Sequence, residues 1–446
     1  MRKSDFGENF NWWVSTAAYQ IEGAYQDGGK GLSIWDQFVK KKGNILNNDH
    51  ANISADFYNR FEGDLALMKA MGIPNFRFSI SWSRIFPNGT GSVNQEGVDF
   101  YNKLIDNCLE YNIEPWITLY HWDLPFALEK LGGWTNRDIL HWFGEYASFC
   151  IRTFGDRVQN WMILNEPMVF TGAGYFLGVH APGRRKLSNF FPAAHHAALC
   201  QAEGGRIIRS ERNNMNIGTT FSYTHVEPYS TRLRDIKSAS RIDTLLNRTF
   251  IEPLIGLGYP IDGLASLQPI EKWMKEGDDQ KLRFNMDFIG LQCYTREIIK
   301  HSYLTPILKA KLVSASKRNV DRTSMNWEVY PESIYHCLKR VSEYPGIKSL
   351  IITENGASFP DLEKEGEIYD NQRKVYLESH MKQVLRAKKE GVDVNGYFVW
   401  SFIDNFEWAE GFMPRFGLVH INYSTQKRTI KYSGKWFKNF LKKPHY

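Results

Sequence analysis

The sequence predicts an α/β fold in which eight parallel strands close into a barrel, on three observations. Eight short β-prone runs recur along the chain, amphipathic helix-like stretches lie between them, and no Pro/Ser/Gly-rich linker or low-complexity tract divides the 446 residues. Strand followed by helix, repeated eight times, implies parallel pairing, and eight parallel strands close into a (β/α)8, or TIM, barrel. The first run is 11–17 (NWWVSTA). The second, 75–80 (NFRFSI), follows a helical stretch at 57–71 that ends at Gly72. Runs 114–120 (EPWITLY) and 160–165 (NWMILN) bracket a helix at 138–154. Then come 216–222 (NIGTTFS), 286–294 (MDFIGLQCY), 349–354 (SLIITE) and 395–401 (NGYFVWS), the last two separated by a helix at 370–390 that ends near Gly391. Glycine after the last helical turn suits a C-cap. The gaps after strands four, five and six are long, as expected of loop insertions on the catalytic face. Residues 1–446 are therefore expected to form one barrel domain. The competing fold is an open doubly wound sheet. Against it, no Gly-rich nucleotide turn follows the first strand, where Gln20-Ile21-Glu22-Gly23 stands.

Composition narrows the function classes. Hydrophobic residues at 43% and charged residues at 23% are ordinary for a globular protein with one large core. A net charge of +6 is weak for this length. The basic runs Lys40-Lys41-Lys42 and Arg184-Arg185-Lys186 are short and read as solvated turns, so no nucleic-acid partner is expected. The five cysteines, Cys108, Cys150, Cys200, Cys293 and Cys337, are odd in number and widely spaced without a CxxC. That argues for a reducing compartment and against a disulfide framework or zinc site. No secretory signal follows Met1, and no run of about 20 apolar residues suggests a membrane span. A cytoplasmic location is the resulting expectation.

A barrel places its chemistry at the C-terminal ends of its strands. Strand one ends at Gln20, strand two carries Arg77, strand three ends at His121 and strand four at Asn165-Glu166. Strand six ends at Tyr294, strand seven at Glu354 and strand eight at Trp400. Ionisable groups at buried strand ends are costly unless partnered, so this set marks a site. It holds no Cys/His cluster, and neither metal nor cofactor is expected. Glu166 and Glu354, on strands four and seven, lie roughly opposite each other. Glycosidic cleavage needs such a pair, one carboxyl to protonate the leaving oxygen and one to act at the anomeric carbon.

The surrounding motifs make the reading specific. Asn165-Glu166-Pro167 and Thr353-Glu354-Asn355-Gly356, with 19–24 (YQIEGA), 77–85 (RFSISWSRI), 121–125 (HWDLP), 178–183 (GVHAPG), 350–358 (LIITENGAS) and 400–408 (WSFIDNFEW), resemble the motifs of the family 1 glycoside hydrolases in the family's order. The resemblance covers about residues 10–420. It implies a retaining exo-β-glycosidase that removes terminal β-glucosyl units, and the related β-galactosyl or β-fucosyl units, by double displacement. Glu354 would be the nucleophile, supported by Arg77 and Tyr294, and Glu166 the general acid/base, its carboxyl raised by the nearby carboxylate. Gln20, His121, Asn165 and Glu407 would bind sugar hydroxyls, Asn165 the 2-hydroxyl. Trp400 would floor the sugar site, Trp408 hold its far hydroxyls and Trp327 line the aglycone side. The expected partner is a β-glucoside or β-linked oligosaccharide; the oligomeric state is open.

Three positions depart from the family pattern. Trp13 stands where a small residue is usual and is read as a local packing change. In 290–295 (GLQCYT), Gln292 replaces Asn and Cys293 replaces Tyr, which bears on fine specificity. His195-His196 reads as a helix feature, and His121 has a purely structural reading beside its functional one. Two other functions share this sequence. A 6-phospho-β-glycosidase would use the same mechanism, but phospho-specific relatives carry Ser where Glu407 stands, and Lys and Tyr where Pro414 and Phe416 stand. For Glu407 the alternative is an outward turn to pair with Arg415. A non-catalytic sugar-binding protein would lack one or both glutamates, and both are present.

Overall fold

The computed structural model of the chain describes residues 1–442. At its centre eight parallel strands form a closed barrel: β1 (Asn11–Ser15), β2 (Asn75–Ser79), β3 (Glu114–Tyr120), β4 (Asn160–Asn165), β5 (Asn216–Ser222), β6 (Phe288–Gln292), β7 (Leu350–Asn355) and β8 (Val394–Trp400). Each strand pairs with its neighbours in chain order. β1 closes the ring against β8, from Asn11 opposite Gly396 to Ser15 opposite Trp400. All eight expected runs are strands, and they differ mainly at their ends. β1 stops at Ser15, and β6 is confined to Phe288–Gln292. The expected helices are Phe57–Met71, Ile139–Phe154 and Asn371–Lys389. Gly72 ends the first with φ 71°, a left-handed conformation that glycine adopts without a Cβ clash.

The barrel interior explains Trp13. Trp13, Trp116, Met162, Phe288, Ile351 and Phe398 form a buried layer inside the ring. Trp13 stacks on Phe398 with ring centroids 4.2 Å apart and planes 2° apart. A Cβ added at Gly396 would lie 1.7 Å from the Trp13 ring. The large residue on β1 is thus accommodated by a missing side chain on β8, and the layer keeps the density of a packed core.

The long insertions are structured. His225–Pro228 after β5 pairs in parallel with Arg296–His301 after β6, and Ala310–Leu312 adds an antiparallel strand. The insertion after β4 contains the helix Leu187–Glu211, which carries His195 and His196 as expected. Their ring nitrogens contact Asp278 and Tyr259, and the Trp134 carbonyl, respectively. The basic run at 184–186 is not simply a solvated turn. Arg184 donates to Glu129 at 2.6 Å and Thr135 at 3.0 Å, because the largely buried Glu129 carboxylate needs a cation. Lys40, Lys41 and Lys42 are exposed. No helix among the described residues is long and apolar enough to cross a membrane.

Candidate active site

Strand geometry brings the rim residues together. Arg77 lies on β2, with Trp116 as its β3 partner, and Glu354 lies on β7 opposite Gln292 of β6. Asn165 ends β4, and Glu166 follows it with φ 48° and ψ 64° before Pro167 opens a short helix. This left-handed turn is unusual for glutamate and costs on the order of 1 kcal/mol or more. It takes the chain off the strand just where Glu166 meets the pocket. Gln20 and Tyr294 correct the expectation that each would end a strand. Gln20 sits on a helical turn, Ala18–Ile21, because the chain leaves β1 after Ser15. Tyr294 lies beyond Gln292, where the chain has left β6, and this lets its hydroxyl reach back to Glu354.

The hydrogen bonds around Glu354 are short and directed. Arg77 Nη1 donates to Glu354 Oε1 at 2.5 Å, and the Tyr294 hydroxyl donates to Oε2 at 2.7 Å. Arg77 is wholly buried, and its other donors reach Asn165 Oδ1, Thr118 Oγ1 and the Thr353 carbonyl. Because Asn165 Oδ1 faces a guanidinium, its Nδ2 must face His121 Nε2, 3.0 Å away. His121 therefore accepts at Nε2 and carries its hydrogen on Nδ1. Burial and the Arg77 charge hold its imidazole well below the usual histidine range, so the ring is neutral. Nδ1 has no partner among the described residues, and neither does Gln20 Oε1. They are a hydrogen-bond donor and an acceptor respectively.

Charge counting sets the protonation states. Glu166, Glu354 and Glu407 line one pocket, and Arg77 is the guanidinium in contact with Glu354. Burial raises the Glu354 carboxyl, while Arg77 and Tyr294 work to lower it. Glu166 is raised well above the usual carboxylate range, first by burial and then by the Glu354 charge. The neighbouring carboxylate is thus the second cause, not the first. Burial, then Glu354 and Glu410, push Glu407 up to about 8. The consistent state has Glu354 ionised against Arg77 and protons on the other two. Opposed carboxyls with separated proton affinities are the arrangement for acid and nucleophile roles.

Aromatic faces complete the pocket. Trp400 and Phe416 pack together with Tyr294 and the half-buried Trp327 at its side. Trp408 lies against Trp122, Trp35 and His121. Glu407 lines the pocket and approaches Gln20 Nε2 at 3.4 Å. It does not turn out to Arg415, which instead donates to Asp404 at 3.2 Å and to the Ile421 carbonyl.

The chain is similar in sequence and fold to known proteins. The sequence profile of "Glycosyl hydrolase family 1" matches residues 2–445. The chain belongs to glycosyl hydrolase family 1. This family 1 chain is 43% identical over 439 residues to a 1,4-beta-D-glucan glucohydrolase of Thermotoga neapolitana, covering 98% of each chain. It is also 43% identical over 444 residues to beta-glucosidase A of Thermotoga maritima, covering 99% of each. A structure of the beta-glucosidase from Thermotoga maritima in complex with glucoimidazole superposes with a TM-score of 0.93 at 42% identity, over 98% of each chain. The family 1 chain is accordingly a glycoside hydrolase.

Several residues of this hydrolase site escaped the sequence reading. Ser222, the last residue of β5, faces Glu166, and its place at the rim was the available signal. Trp122 Nε1 donates to the Asn165 carbonyl at 2.9 Å, and His180 lines the pocket. Both lie inside motifs whose neighbours drew attention instead. Met325 and Val169 also line it and carry no polar signal. Elsewhere, Asp361, Asp404 and His420 are close enough to hold a metal among the described residues. Their carboxylates are already bridged by the buried Lys431 ammonium at 2.7 Å to each, so the negative charge there has its cation.

Proposed function

We propose that the protein is a retaining exo-β-glucosidase acting by double displacement. The observation that carries the reading is the asymmetry between its two carboxyls. Glu354 is fixed through both oxygens by Arg77 and Tyr294, whereas Glu166 is buried and keeps its proton. In the first step Glu354 attacks the anomeric carbon, the glycosidic bond breaks, and Glu166 gives its proton to the leaving oxygen. Formation of the glycosyl ester removes the Glu354 charge that helped raise Glu166. Glu166 can then take a proton from water, which attacks the same carbon, breaks the ester and returns Glu354 as the carboxylate.

The unpartnered atoms support a neutral sugar. His121 Nδ1 offers a hydrogen, Gln20 Oε1 accepts one, and Asn165 Nδ2 has a second hydrogen beyond that given to His121. A protonated Glu407 both donates and accepts. It therefore suits the 4-hydroxyl of either epimer, which supports activity on β-galactosides and β-fucosides beside β-glucosides. A 6-phosphate finds no cation in the loop after β8, since Arg415 is committed to Asp404, Pro414 is uncharged and Phe416 is a buried pocket wall. With Glu407 near 8, discrimination rests more on this missing cation than on charge repulsion. The names of the relatives, beta-glucosidase and 1,4-beta-D-glucan glucohydrolase, favour gluco-configured substrates.

A 2-deoxy-2-fluoroglucoside with a good leaving group tests the reading. Mass spectrometry is expected to find the label on Glu354, and proton NMR to show β-glucose as the first product from a β-glucoside. Label on another residue, or α-glucose released first, overturns the mechanism.

A further inference from the structure

Gln292 ends β6 between two residues of the reaction. Its register partners are Ser222 of β5, which faces Glu166, and Glu354 of β7. The side chain is 1% exposed. Its Nε2 lies 2.7 Å from Glu354 Oε1, 2.6 Å from Asn165 Oδ1 and 3.3 Å from Thr220 Oγ1. The orientation of this amide is forced. Glu354 Oε1 is a carboxylate oxygen, and Asn165 Oδ1 already accepts from Arg77, so neither can donate. An amide oxygen turned toward them would put three acceptors together. Nitrogen must face them, and its two hydrogens serve one each.

The other end of the amide carries the second observation. Gln292 Oε1 is buried and has no hydrogen-bond partner among the described residues. An unmet buried acceptor is destabilising, and an apolar side chain of the same length would avoid that cost. The residue makes a poor structural choice and a good site choice. Such local rule-breaking is expected where function outweighs packing.

We propose that Gln292 is a positioning residue of the hydrolysis, its amide nitrogen clamping nucleophile Oε1 to Asn165. This rests on the reading of Glu354 as the nucleophile. The extra methylene relative to asparagine is what carries the nitrogen to Glu354. Arg77 and Gln292 together hold Oε1 from two sides while Tyr294 holds Oε2, so the carboxylate cannot rotate away from the anomeric carbon. The same hydrogen bond stabilises the carboxylate as it departs from the sugar in the second step. It acts on Glu354 and needs no contact with the substrate.

Three variants of the full chain test this: Gln292→Met, which keeps length without a donor, Gln292→Asn, which shortens the reach, and Gln292→Glu, which sets acceptor against acceptor. A charge-assisted hydrogen bond corresponds to about 10- to 100-fold in rate. Gln292→Met is expected to lose that factor in kcat/KM on nitrophenyl β-glucoside. The acid limb of its pH profile is expected at higher pH, because the ionised nucleophile has lost a donor. Its Tm is expected to hold or rise, because an unmet acceptor has gone. Gln292→Asn is expected to resemble Gln292→Met, and Gln292→Glu to lose most. A lower Tm with an unmoved acid limb would show a structural role and overturn the proposal. So would a Gln292→Asn enzyme with native kcat/KM. Wild type runs in parallel: if it neither turns over the glucoside nor takes fluorosugar label on Glu354, the hydrolase mechanism fails first, and Gln292 with it.

Discussion

Replacing Arg77 with Met removes the guanidinium that touches Glu354, the proposed nucleophile. Arg77 and Glu354 form an ion pair at 2.5 Å, with side chains 0% and 5% exposed. Two unit charges about 4 Å apart, centre to centre, in an effective dielectric near 20 attract by about 4 kcal/mol. That energy favours the ionised Glu354 and corresponds to a factor of about 10³. Arg77→Met is therefore expected to lower kcat/KM at neutral pH by about that factor. The sign follows from the charge: without the cation the Glu354 carboxyl rises further, so its proton persists to higher pH and the acid limb moves up. Stability is expected to fall as well, by about 3–5 kcal/mol, since one member of a buried pair is left alone. The assay is kcat/KM for nitrophenyl β-glucoside across the pH range, with thermal unfolding measured beside it. Arg77→Lys serves as the control, restoring charge without the planar fork that also reaches Asn165. It is expected to fall between Arg77→Met and wild type. A folded Arg77→Met enzyme with an unmoved acid limb would refute the pairing as the source of Glu354's ionisation.

Glu354→Gln is expected to abolish turnover on every glycoside, since no glycosyl ester can form; a near-native rate in a purified variant would sink the assignment. Glu166→Gln is expected to cost about 10²–10⁴-fold on alkyl glucosides and far less on dinitrophenyl glucosides, to lose the basic limb of the pH profile, and to regain deglycosylation with azide. Equal losses on both substrates would count against the acid/base role. Glu407→Ser is expected to weaken glucoside turnover sharply without creating activity on the 6-phosphate, because the loop's Arg415 is committed to Asp404; the ratio of kcat/KM on the two substrates decides it. Gly396→Ala is expected to lower stability by about 1–3 kcal/mol through overpacking against Trp13. Adding Trp13→Val should recover part of that loss in thermal unfolding if the two side chains share one volume.

The barrel and its main site residues were legible in the sequence because both are local signals. A short apolar run followed by an amphipathic stretch specifies a strand and its return helix, whatever its neighbours are. Once the strands are placed, parallel closure puts all their C-terminal ends on one rim, so Arg77, Glu166, Glu354 and Trp400 could be named together. Strand ends were less legible. Gln20 and Tyr294 sit past the last ladder hydrogen bonds, and those bonds depend on the adjacent strand and not on the run itself.

What only the tertiary structure decided is contact, orientation and charge. Arg77 and Glu354 are 277 positions apart, and Gln20 and Asn405 are 385 apart, yet each pair shares a hydrogen bond. Trp13 departs from the family pattern in sequence, and Gly396 beneath its ring is what accommodates it. Gln292 reads in the sequence as a change in fine specificity, whereas in the fold its nitrogen donates to Glu354. The sequence names Glu407 as a hydroxyl-binding residue, but its proton is set by the fold, where burial and then the Glu354 and Glu410 carboxyls raise it to about 8. A residue's identity determines what it can donate, accept or ionise. Which of these it does depends on the water excluded and the charges gathered around it, and those are contributed by segments from the whole length of the chain.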